Sequence, residues 1–108
     1  MRKLNQKDME ILSKLAPEIR PPVHYRSILP PVSMHHALDK EDFQDRVSRL
    51  DAQDLGYLSD RILDGSECLL CISPEFVGIF LDVLEEKLSQ EKAEQIRKQY
   101  KSATGYEA

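Results

Sequence analysis

The sequence predicts an all-α fold, a small orthogonal array of about five helices around a central one at residues 74–88, with a proline-rich extended segment after the first helix. Three observations lead there. At five places an apolar residue precedes a capping residue and meets a second apolar residue five positions on, the pattern of a hydrophobic staple. Between those starts the apolar residues recur at helical spacing. Three Phe, four Tyr and no Trp leave the core to Leu, Ile, Val and Ala, which suits packed helices better than a sheet sandwich.

The first start is Leu4, Asn5 and Met9, opening a helix over residues 6–16 whose stripe is Met9, Leu12, Leu15 and Ala16. The second is Leu38, Asp39 and Phe43, opening residues 40–49 with Phe43 and Val47 inward. Leu50, Asp51 and Leu55 open residues 52–63, which carry Leu55, Leu58, Ile62 and Leu63 and stop at Asp64-Gly65, where glycine can take the left-handed cap conformation. These three helices also carry Asp8, Asp42 and Asp54 at their third position, a shortened capping box at the positive end of the helix dipole.

Ile72, Ser73 and Val77 open residues 74–88, with Pro74 in the first turn, where a missing N–H costs nothing. This helix is apolar on nearly every side except a stripe through Glu75, Gly78, Asp82 and Glu86, so it takes the central position. Gly78 breaks a local rule, since a mid-helix glycine costs about 1 kcal/mol relative to alanine. Its place predicts close approach of another backbone, either the proline-rich segment or a second copy of the chain. Leu88, Ser89 and Ala93 open the last helix, residues 90–101, with Ala93, Ile96 and Tyr100 on one face.

Residues 17–37 hold five of the six prolines. Pro21-Pro22 and Pro30-Pro31 argue against helix and for extended chain, whereas Ile19, Val23, Tyr25, Ile28, Leu29, Val32 and Met34 are too apolar for a solvated linker. The organisation expected is a helix over residues 1–16, an extended arm over 17–37 and a helical body over 38–104, all in one domain. The arm is expected to lie against a surface, its own body's or a partner's, and its Val23, Tyr25, Ile28, Leu29 and Val32 with the helix face at Gly78 form the expected interaction surface.

Charge narrows the function classes. Residues 1–38 hold six Lys or Arg against three acids, residues 39–87 five against thirteen, and residues 88–108 four against three. An acidic body with no basic run and no interleaved aromatics argues against nucleic acid. No apolar run is long enough to span a bilayer, and the N-terminal stretch lacks the apolar core of a secretion signal, so the expected setting is cytoplasmic, without membrane association. No phosphate-binding glycine loop, nucleophile elbow or metalloprotease motif is present, and the carboxylate pairs Asp60/Asp64 and Asp82/Glu86 are ordinary helix-surface spacings. No enzyme activity is expected.

One motif carries possible chemistry, Cys68-Leu69-Leu70-Cys71. Two soft thiolates two residues apart, joined by imidazoles from His24, His35 and His36, would make a zinc site. Bulky Leu69, Leu70 and Ile72 do not suit a zinc knuckle, and the histidines lack compact ligand spacing. A redox pair would need a cysteine at a helix N-terminus after a strand. The favoured reading is two small residues buried in an apolar run that leads into the central helix. The function expected is a non-catalytic protein-interaction or regulatory module, with a homodimer among its expected forms, without cofactor. The alternative is a small zinc protein using Cys68, Cys71, His35 and His36.

Overall fold

Each of the five capping residues accepts a hydrogen bond from the backbone N–H three positions on. In the computed structural model, which describes residues 3–20 and 23–108, α1 (Gln6–Leu15) starts at Asn5, α3 (Lys40–Val47) at Asp39, α4 (Ala52–Leu63) at Asp51, α5 (Pro74–Lys87) at Ser73 and α6 (Gln90–Thr104) at Ser89. Asp8 and Asp54 return the bond to their own caps and complete capping boxes. Asp42 reaches one residue further and accepts from Leu38 N at 2.9 Å. The described residues are helical and irregular, with no strand, so the fold is all-α. None of these helices is long and apolar enough to cross a membrane.

The second helix departs from expectation. Leu29–Pro31 form a short helix, α2, which runs directly into a π-helical turn, Val32–His36, closed by Ala37 N on Val32 O at 2.8 Å. Pro30 and Pro31 thus begin a helix where extended chain was expected. Both fall in the first turn, where the N–H they lack has no intrahelical acceptor to lose. Pro21 and Pro22, the other pair taken as extended, lie outside the described residues.

Two staples also fail. Leu38 is 89% exposed, because Phe43 stacks instead on Phe76 with ring centroids 4.9 Å apart. Leu88 is also exposed, lying over Gly56. The staples Leu50/Leu55 and Ile72/Val77 are fully inside. At the far end, α6 runs to Thr104 and stops at Gly105, whose φ of 80° is left-handed.

α5 packs against α6, α3 and α4, while α1 leans on α3 and α4 on α6. Ile11, Leu12 and Leu15 of α1, Ile28, Leu29 and Val32, and the inward faces of α3 to α6 form a single buried cluster. A Cα radius of gyration of 12.7 Å is that of one compact unit of this length.

Helix C-termini are closed from a distance. Arg46 donates to Leu15 O at 2.8 Å and to His36 O at 3.3 Å, and Arg49 donates to Lys14 O at 3.1 Å. Lys87 donates to Ser48 O and Leu50 O after α3, and Gln99 donates to Ile62 O in the last turn of α4. These bonds satisfy carbonyls that a helix end leaves open. Arg46 is nearly buried, and its fork also holds Glu18 through both carboxylate oxygens, at 2.8 and 3.1 Å, and Asp42 at 2.9 Å. Hydrogen bonding to Glu18 and then to Asp42 raises its pKa against the opposing effect of burial, so it stays charged.

The basic N-terminal stretch meets the acidic body at Asp54. Its buried carboxylate accepts from Lys7 Nζ at 2.8 Å and Lys14 Nζ at 2.6 Å. Burial alone would push its pKa up, but the two lysines and the Asp51 N–H hold it at about 2.

Candidate functional site

The segment leading into α2 is held by Glu67, only 2% exposed. Its two carboxylate oxygens accept from Ile28 N at 2.9 and 3.0 Å, and one of them accepts from Leu29 N at 2.8 Å. These donors open α2, so a carboxylate 38 and 39 residues away in sequence does the work of an N-cap. Below it Ile28, Leu29 and Val32 have no exposed area. That corrects their assignment to an interaction surface: they are core, because the segment folds back on its own chain. Val23 is half-buried against the core, and the outward large apolar side chains of this stretch are Tyr25, Met34 and Leu38, beside the exposed His24, Arg26 and His35.

Gly78 does lie under another backbone, but a different one from those expected. A Cβ there would meet the backbone carbon of Ala108 at 3.4 Å, so the backbone of Ala108 lies against α5 at this point.

The loop from α4 to α5 alternates. Glu67, Leu69 and Ile72 point inward, while Cys68, Leu70 and Cys71 are exposed. The expected burial of both cysteines is therefore wrong. In this irregular loop the side chains of residues 67–70 alternate between inside and outside, and a turn closed by Ile72 N on Leu69 O at 3.0 Å leaves Cys71 outside. Burial raises the Cys71 pKa first, with the neighbouring Cys68 thiol and then the Glu67 charge adding to it. The Cys68 side chain thus bears on the ionisation of Cys71.

Beside this loop a mainly apolar cavity of about 180 Å³ is lined by Ile62, Leu69, Leu70, Ile96, Tyr100 and Ala103, with Leu70, 59% exposed, at its lip. Tyr100 closes the inner end by donating to Ile72 O at 2.8 Å.

The histidines stand apart from the thiols. His24 and His35 are exposed, and His36 ends the π turn with its Nε2 buried and without a hydrogen-bond partner. Among the described residues no three His, Cys, Asp or Glu side chains group as metal ligands, so Cys68 and Cys71 are not joined by His35 or His36.

Sequence reasoning missed Glu67, Arg46 and Leu70. Glu67 stood in a run of surface-type residues with nothing to mark its partners. Arg46 carried a faint signal, four positions after Asp42 on a helix with few other cations. Comparison with known protein families, with curated proteins and with solved structures finds no match.

Proposed function

We propose that this chain is a non-catalytic protein-interaction module, that its binding face is the outer side of residues 25–38, and that its partner is a second copy of itself. The observation supporting this is the two-sided character of that segment. Its inner side chains are sealed in the core, so its position is fixed, while Met34 at 57% and Leu38 at 89% exposure present large apolar groups to water. Covering either one contributes about 1.5–3 kcal/mol, and a two-fold axis through the patch counts each twice.

Sedimentation equilibrium from micromolar to near-millimolar concentration tests the proposal. Wild-type protein is expected to dimerise reversibly. Leu38→Asp combined with Met34→Asp is expected to weaken the dimer at least about tenfold, equivalent to 1.4 kcal/mol, with an unchanged circular dichroism spectrum. A wild-type chain that stays monomeric throughout, or a dimer indifferent to both substitutions, overturns it.

A further inference from the structure

We propose that Cys68 and Cys71 form a reversible dithiol–disulfide site that takes a low-molecular-weight disulfide as its oxidant. Both thiols are exposed, and they are the only two cysteines of the chain, so no other pairing competes within it. Their loop is pinned on either side. Glu67 N donates to Arg61 O at 3.0 Å, the Glu67 carboxylate holds Ile28 and Leu29, and Tyr100 holds Ile72 O. Between those pins the two exposed thiols stand two residues apart in sequence, with the turn at Leu70 and Cys71 between them. A bond between them therefore closes a small ring within one loop, outside every helix, and little chain entropy is left to lose.

The chemistry runs in two exchanges. Cys68, as thiolate, attacks one sulfur of the disulfide RSSR, forming a mixed disulfide at Cys68 Sγ and releasing RS⁻. Cys71 then gives its proton to water, and its sulfur attacks Cys68 Sγ and expels the second RS⁻. The two released thiolates take up two protons, so the chain loses two hydrogens while RSSR becomes two RSH. The roles follow from the environment. Burial, Cys68 and Glu67 hold the proton on Cys71, which leaves Cys68 as the first nucleophile. Excess RSH drives the same steps backwards.

The proposal does not rest on residues 25–38 being an interaction face, and its test does not read dimerisation. The full-length chain is incubated in mixtures of oxidised and reduced glutathione, quenched by alkylation and weighed intact. Wild-type protein is expected to lose two hydrogens and both alkylation sites, retain no glutathione, and recover both sites in excess reduced glutathione. Cys68→Ser and Cys71→Ser are each expected to stop at a single glutathione adduct, with Cys71→Ser, which keeps Cys68, reacting faster. Circular dichroism of both variants checks that they fold. Retained glutathione on wild-type protein, disulfides between chains, or thiols that stay reduced overturn the assignment.

Discussion

Glu67→Ala isolates the contact that fixes the segment before α2. The wild-type carboxylate satisfies two backbone donors, Ile28 N and Leu29 N, at 2.8 to 3.0 Å in a buried setting. Hydrogen bonds to a charged acceptor contribute about 1.5–3 kcal/mol each, and a donor stripped of its acceptor in the interior costs about as much again if water cannot reach it. Because alanine leaves space that one water can partly fill, the expected loss is about 3 kcal/mol rather than the full sum. For a domain of this length that corresponds to a fall in melting temperature of roughly 10 °C or more. Glu67→Gln keeps the shape and one oxygen but turns an NH2 toward a donor, and should lose about 2 kcal/mol. Urea denaturation measures both, and amide hydrogen exchange at Ile28 and Leu29 localises the effect. A loss under about 1 kcal/mol for Glu67→Ala, or Ile28 and Leu29 amides as protected as in wild type, would refute the claim that this carboxylate anchors the segment.

Three further outcomes are expected. Asp54 has its folded pKa depressed to about 2 against an ordinary value near 3.9, so its contribution, about 2 kcal/mol, is complete above pH 5 and is lost as pH falls from about 4 to 2. Urea midpoints across that range should drop in wild type and drop less in Asp54→Asn, which starts lower at neutral pH. Arg46→Lys keeps the charge but cannot hold Glu18, Asp42, Leu15 O and His36 O together, and should lose about 2–3 kcal/mol in chemical denaturation. Replacing both exposed cysteines by alanine should cost under about 1 kcal/mol, less than buried cysteines would, and thermal melts of wild-type protein should not move on adding a chelator.

How much of this was legible follows from where each helix finds its partners. An N-cap is satisfied by a backbone N–H three residues on, so Asn5, Asp39, Asp51, Ser73 and Ser89 announce themselves in any reading of the chain. α4 was legible at both ends because Gly65, with φ of 86°, stops it locally. Gly105 offered the same signal for α6 and went unused. The start of α2 was illegible, because its acceptor is Glu67 and sequence carries no trace of a pairing at that separation. The two prolines were visible, but their first-turn role shows only once Leu29 and Val32 are seen to share a buried face. The cysteines were misplaced for a related reason. An apolar run suggested burial, whereas the irregular loop turns alternate side chains outward, and it was an acid that went inside.

The remote closure of helix ends by Arg46, Arg49, Lys87 and Gln99 has a kinetic consequence. Local starts let nascent helices flicker in the unfolded chain within about a microsecond. Their last turns at Leu15, His36, Ser48 and Ile62 can be held only after α3, α5 and α6 arrive. For α1 and α3, initiation is thus a property of the segment and termination a property of the assembly. Substituting a cap should alter how fast the chain finds its fold, and substituting one of these four long side chains should alter mainly how fast it comes apart.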